Sequence, residues 1–474
     1  MDDVNFIRSS SWRFIIDKDV TVSEDEESYI SKESWVEMIH GLEYIIKIKN
    51  RRFKFAWLIF LIASTLVSIY LTGITISDFF ENTTVTLDTI RRKQKILFHS
   101  ITLCPKYSDT FNYTSVKNTF LDIRNDLDNK TVRNFIIYLS AGGGFDNYNN
   151  LINNFDDTIL KTFENIMYDM IKYFGSLSNL YKFIFKDNNF KCEDFFDSCY
   201  AGDEKLNCCE IFEIKYILIR GKCYKLKHIY QEEPDELGKL SLTLKAVPSI
   251  FLDKKLYQEQ VVVYNNPKTD SVAMFPRFYI YGRDWNSFMF TKQIYKLHYS
   301  NTECVRDINY QGLNVCWMNE WIRRKIHEKY NCTFFYLQDG NNLSICNPTI
   351  VIQNYDDIMI TTLGKVNCKQ ACIREEVVTT LLTRPYSYVL AGIKNESEGS
   401  KIHLEMRYGK MQEYVYQDVL ITTASGFISE LGGHTGLFVG FTIITIFQMV
   451  FLIIKYLFRE FSKMKIDMSN GIKL

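Results

Sequence analysis

Two long uncharged runs stand near the ends of the chain. The first, Phe53 to Ile76, carries one charge, Lys54, at its start. The second, Thr435 to Ile454, carries none. About 20 residues at 1.5 Å each cross a hydrocarbon core of about 30 Å, so both runs read as membrane spans. Between them the pattern is that of a globular domain. From about Val116 to Phe185 it is helical, with Phe155, Ile159, Phe163, Ile166, Met170 and Tyr173 on one stripe. Phe98–Pro105, Ile214–Ile219, Leu240–Leu244 and Phe278–Tyr281 read as strands, by alternation or by β-branched and aromatic content. Trp317–Tyr330 reads as a short amphipathic helix with Ile322, Ile326 and Tyr330 inward. Cys192 to Cys209 reads as a cysteine-dense loop, and Lys401–Thr423 as β-rich chain feeding the second run. Strands with helices inserted beside them make an α+β class.

Charge orients this arrangement. Lys47, Lys49, Arg51, Arg52 and Lys54 lie at or before the first run, and Asp78, Glu81 and Asp88 follow it. Lys455, Arg459, Lys463 and Lys465 follow the second. Basic flanks stay in the cytoplasm, so both termini are expected there. The expected boundaries are a cytoplasmic 1–52, a span over 53–76, an extracellular 77–434, a second span over 435–457 and a cytoplasmic 458–474. The opening residues lack the basic-then-apolar order of a signal peptide, and the acidic stretch Ser23–Ser28 reads as a solvated loop.

Cysteines agree independently. All twelve lie between Cys104 and Cys372, as disulfides in an oxidising compartment require. The glycosylation sequons at Asn82, Asn112, Asn129, Asn331, Asn342 and Asn395 fall in the same region. Basic and acidic residues balance at 56 each, which gives nucleic acid no footprint.

The second run is too polar for a plain anchor. Gly432, Gly433, Gly436 and Gly440 crowd its approach, with hydroxyls at Thr435, Thr442 and Thr445. Small residues let helices pack closely, and hydroxyls and freed carbonyls can face water. The stretch therefore reads as pore lining, a role compatible with a helix-packing seam. His434 reads as a solvated interfacial histidine. No histidine pair has zinc-site spacing, and Cys368 and Cys372 each read as half of a disulfide and not as half of a metal site. Without a nucleophile elbow, a P-loop or a dinucleotide fingerprint, no enzyme activity, metal or cofactor is expected.

Several motifs resemble the degenerin/epithelial sodium channel family, which includes acid-sensing channels. Ile39-His40-Gly41-Leu42 is similar to its His-Gly motif before the first span. Phe98-His-Ser-Ile-Thr-Leu-Cys104 resembles its F-P-x-V-T-x-C segment, with His99 in place of proline. Gly221-Lys-Cys223-Tyr resembles G-x-C-Y, without the usual Thr-Phe-Asn after it. The stretch from Leu431 to Thr442 resembles the GG-x-x-GLF-x-G-x-S block, the most specific of the four. Asn207-Cys-Cys209 and Asn331-Cys-Thr-Phe-Phe-Tyr336 look closer to the invertebrate pickpocket-type branch.

The resemblance implies a trimeric plasma-membrane channel with a hand-like ectodomain, passing sodium and sensitive to amiloride. It implies a selectivity filter at Gly440, Phe441 and Thr442, with threonine where the family has serine. Gln448 stands where a glutamate is common. Ser429 matches a gate position that needs a small side chain, and His40 and Gly41 match an inner gate. The resemblance also implies the disulfides Cys104–Cys223, Cys304–Cys372, Cys316–Cys368 and Cys332–Cys346. Two family bridges of the same region lack both of their halves here. Cys192, Cys199, Cys208 and Cys209 remain for two pairs whose connectivity stays open. Expected partners are related channel subunits and lipid; the extracellular ligand or matrix that sets the gate is not legible. Two other readings stand beside this one: a regulatory subunit that conducts only with partners, and an ATP-gated-receptor-like channel.

Overall fold

The computed structural model describes residues 45, 48–247, 249, 258, 260–265, 274–282, 284–298, 304–337, 343–360, 362–385, 401–440, 442, 444–451, 453–454 and 457–458. The chain divides into two units: residues 84–419, and the flanks 1–83 with 420–474.

The unit 84–419 is built on two sheets. The larger has seven strands. The long strand Ile402–Leu420 lies beside Asp284–Lys296 in parallel and beside Leu240–Leu244 antiparallel. Thr84–Arg92 also pairs with it. Ile373–Pro385 forms one edge and Glu204–Leu206 the other. The smaller sheet runs Arg277–Tyr281, Gln260–Asn265, Ile101–Pro105, Gly221–Leu226 and Phe212–Ile217, all antiparallel. Alternation decides the faces. Leu103, Val261, Val263 and Ile280 of the small sheet share one core with Phe288, Phe290, Leu404 and Met406 of the large one.

Helices form a second core. Asp157–Phe174 begins where Asp156 accepts from the amides of Thr158 and Ile159, and it stops at Gly175 in the left-handed region (φ 81°). It buries Leu160, Phe163, Ile166, Met167 and Met170. Phe163 lies against Phe135 and Tyr138 of the helix Asn129–Gly142, with centroids 6.0 and 5.3 Å away. The stripe turns onto Phe174, 4.9 Å from Phe183. Tyr173, expected inward, is therefore 66% exposed.

Two further expectations need correction. The Cys192–Cys209 segment is not a loop: Phe196–Ala201 and Glu204–Leu206 join the large sheet through a turn at Gly202 (φ 56°). Phe196 and Cys199 point into the core at a spacing that disguised the alternation. Trp317–Tyr330 is not one α-helix. Leu313–Ile322 passes into a π-helical turn, Arg323–His327, before Glu328–Tyr330. Ile322 and Ile326 are still buried.

All twelve cysteines pair. The structure holds Cys104–Cys223, Cys304–Cys372, Cys316–Cys368 and Cys332–Cys346, and joins Cys192 to Cys209 and Cys199 to Cys208. A charge chain crosses the large sheet. Lys292 Nζ lies 2.7 Å from Glu413 and 3.5 Å from Glu375, and Lys93 lies 3.3 Å from Glu413. Burial pushes the Glu413 carboxyl up, but the ammonium groups of Lys292 and Lys93 overbalance it and hold it below the ordinary carboxylate value.

Candidate functional site: the glycine-rich second segment

In the unit formed by the flanks, Arg51–Glu81 is one continuous helix, longer than the expected 53–76 because its α-geometry runs past the apolar stretch on both sides. Among the described residues it is the one helix long and apolar enough by itself to cross a membrane. Trp57, Leu61, Ser64, Ser68, Leu71, Thr72, Thr75, Asp78 and Phe79 are the less exposed positions along it. They recur every three or four residues, a heptad-like seam. Ser68 and Thr75 are its buried pair, small enough to let another helix approach.

That other helix is Ala424–Val439. Ser68 Oγ donates to the His434 carbonyl at 3.3 Å, and Phe79 stacks on Phe427 with centroids 4.4 Å apart. The second segment thus becomes helical at Ala424, ahead of the expected Thr435. The reason is local: Thr423 Oγ1 accepts from the Gly426 amide at 3.1 Å, an N-cap the hydropathy pattern does not mark.

The same segment is not one straight helix. It ends at Gly440, whose φ of 68° is left-handed and suits glycine. The Gly440 amide donates back to the Gly436 carbonyl at 3.1 Å. A second helix, Ile444–Phe451, resumes at a 77° bend. Thr442 caps it: Thr442 Oγ1 accepts from the Thr445 amide at 3.3 Å, Thr445 Oγ1 accepts from the Thr442 amide at 3.3 Å, and the hydroxyls lie 3.1 Å apart. The Gly-x-Thr spacing is therefore a helix stop followed by a helix start. The last carbonyls of a helix have no partner in its own ladder, so a stop at this point takes them out of the helical hydrogen-bond pattern.

Ser429 is exposed, turned away from the face that carries Phe427, Leu431 and His434. At helical spacing it shares a stripe with Gly432, Gly433, Gly436 and Gly440. A β-carbon at Gly432 or Gly433 would meet no atom within 4 Å. Gln448 is exposed on Ile444–Phe451. His40, Gly41 and Phe441 lie outside the described residues, as do Asn342 and Asn395. Asn82, Asn112, Asn129 and Asn331 are exposed. Asn112 also caps the helix Tyr113–Ile123 through Ser115.

Sequence reasoning missed Thr423 and the mutual capping by Thr445. The Thr-x-x-Thr spacing of 442 and 445, behind a glycine, is the signal that could have found the second. Missing too was the role of Ser68 and Thr75, whose seven-residue separation is visible in the first run.

A family model described as amiloride-sensitive sodium channel matches residues 37–452. The chain belongs to that family. It is thus a membrane ion channel subunit of the degenerin/epithelial sodium channel kind, with a disulfide-rich extracellular part. A comparison with curated proteins finds no match. Among solved structures the chain is similar to the cryo-EM structure of a proton-activated chloride channel. The identity is 7%, over 85% of this chain and 97% of that one, with a TM-score of 0.28. That score is too low for the likeness to carry an argument.

Proposed function

We propose that the chain is a subunit of a trimeric, sodium-passing channel of the plasma membrane, with both termini cytoplasmic. Ala424–Val439 and Ile444–Phe451 together form the second membrane segment and line the pore. Gly440, Phe441 and Thr442 form the constriction, where carbonyls released at the break replace part of the hydration shell of a sodium ion. Ser429 is the space-sensitive gate position, and His40 and Gly41 serve an inner gate. The exposed sequons carry glycans. An extracellular stimulus acting on the ectodomain opens the gate, and amiloride blocks the current.

The observation that supports this most is the glycine stop and threonine start at 440 and 442, within a family-matched segment whose Gly432 and Gly433 are open. A mere anchor gains nothing from a broken helix; a pore gains oxygen ligands.

Voltage clamp of cells expressing the chain alone, as wild type and as Ser429→Phe, tests the reading. Ser429→Phe is expected to give a standing inward current that disappears when an impermeant organic cation replaces sodium, and that amiloride reduces. A Ser429→Phe protein that reaches the surface and stays silent, both alone and beside related subunits, contradicts it.

Gln448 favours a second reading. An amide in place of a carboxylate removes negative charge that would concentrate cations, as suits a subunit that conducts only with partners. Current that appears on co-expression with relatives, and never alone, selects this reading.

A further inference from the structure

A cluster of cations on the small sheet lacks matching anions. Arg220, in the turn between Phe212–Ile217 and Gly221–Leu226, is 2% exposed. Every nitrogen of its guanidinium is engaged. It donates to Asp146 Oδ1 at 2.9 Å, to the Lys106 carbonyl at 2.7 Å and to the hydroxyls of Tyr264 and Tyr279 at 3.2 and 3.5 Å. Asp146 is the one carboxylate paired there among the described residues.

Two more cations face the same place. Lys106 follows the strand Ile101–Pro105, and its Nζ lies 4.7 Å from the centre of the Tyr279 ring. Arg277 opens the next-but-one strand, opposite Tyr264. Its guanidinium lies 5.7 Å from the Tyr279 ring centre and 4.9 Å from that of Phe275. Their charged ends make ring contacts but no ion pair among the described residues. Cation–ring contacts are worth less than a carboxylate partner. Burial and then the charge of Arg220 hold the Lys106 ammonium below its ordinary value, with Arg277 adding to the effect against Asp146.

Three cations, one committed carboxylate and one ring, Tyr279, that two of the cations share are what an anion completes. The geometry points to a binding site for an organic carboxylate between Lys106 and Arg277. A planar guanidinium fork matches the two oxygens of a carboxylate, and the ammonium supplies a second charged donor. Tyr279 and the exposed Phe275 offer an apolar surface to the body of the acid. A bare halide would use neither the fork nor the rings.

Benzoate, its neutral isostere benzamide, acetate and chloride serve as probes. The measurement is the thermal unfolding midpoint of the full chain, purified in detergent, at constant ionic strength. Benzoate is expected to raise the midpoint in a saturable way, acetate less, benzamide and added chloride not at all. Lys106→Met is expected to abolish the benzoate shift. Arg277→Lys, which keeps the charge and loses the fork, is expected to weaken it without threatening the fold. The proposal is overturned by no benzoate shift in the wild type. It is equally overturned by an equal shift with benzamide or chloride, or by the full shift in Lys106→Met.

Discussion

Two helices of similar length, Asp157–Phe174 and Ala424–Val439, share the same ends and have opposite surroundings. Each starts on an oxygen side chain, Asp156 or Thr423, that accepts from the first-turn amides. Each stops at a left-handed glycine, Gly175 at φ 81° or Gly440 at φ 68°. The first buries five side chains on one stripe; the second buries none. Ile428 and Leu437 of the second are 64% and 81% exposed. Helix ends are written in a few adjacent residues, whereas burial depends on what surrounds the helix. The ectodomain helix finds its surroundings within one chain. The pore helix, on our reading, finds them in lipid and neighbouring subunits.

The largest test of that contrast is truncation. Phe163→Ala should destabilise the ectodomain by about 3–5 kcal/mol, while Leu437→Ala should change its unfolding by less than about 0.5 kcal/mol. Denaturant or thermal unfolding of the purified chain reads both. Equal effects would mean that the second helix is packed as tightly as the first.

Next comes a charged contact with no counterpart in the pore helix. Lys292 and Glu413 are each 9% exposed at the side chain. Lys292→Met should cost about 3 kcal/mol, because it leaves the buried Glu413 carboxylate with only the exposed Lys93 as its ion-pair partner. Glu413 titrates below its ordinary value in the fold. Its stabilisation is therefore present above the unfolded value of about 4.3 and lost as pH falls through the folded one. In Lys292→Met this acid-dependent part should shrink; an unchanged pH profile breaks the account.

The caps should show the shared code. Asp156→Ala and Thr423→Ala should each cost their own helix about 1 kcal/mol. Hydrogen exchange of the first-turn amides separates the two, and a loss confined to Asp156→Ala would leave Thr423 without its assigned role.

The smallest effect is a histidine. Burial, with the charge of Lys401 adding to it, holds the His403 imidazole below its ordinary value, and the ring stacks on Trp285 with centroids 5.3 Å apart. The neutral form is the folded one. Stability should decline as pH falls from about 6.5 toward the folded value, and His403→Phe should flatten that decline in a thermal melt.

Much of this was legible along the chain because one physical rule dominated each stretch. The first uncharged run had to be a long apolar helix, the confined cysteines had to pair, and the stripe Phe163, Ile166, Met170 had to be core. The strand Leu240–Leu244 shows the same clarity, with Leu240, Leu242 and Leu244 buried. Other parts were hidden by competition between rules. Val261, Val262 and Val263 form a continuous apolar run, buried on both faces, so no alternation announces their strand. Asp284–Lys296 and Ile373–Pro385 carry charges along their strands, and only the sheet shows why, where Lys292 meets Glu413 and Glu375. Hydropathy sees the second uncharged run as continuous across Gly440; only the left-handed glycine and the Thr442–Thr445 cap reveal the break. Lys106, Arg220 and Arg277 come from separate strands, and only the sheet brings them together.

The break at Gly440 is the centre of the account, and the reversal potential of Gly440→Ala in the Ser429→Phe background tests it most directly. A β-carbon at a left-handed position costs on the order of 1 kcal/mol and shifts the carbonyls around it. With sodium outside and potassium inside, the account predicts a changed sodium-to-potassium permeability ratio at unchanged surface expression. A full current with an unaltered reversal potential would contradict it, and would place the constriction elsewhere.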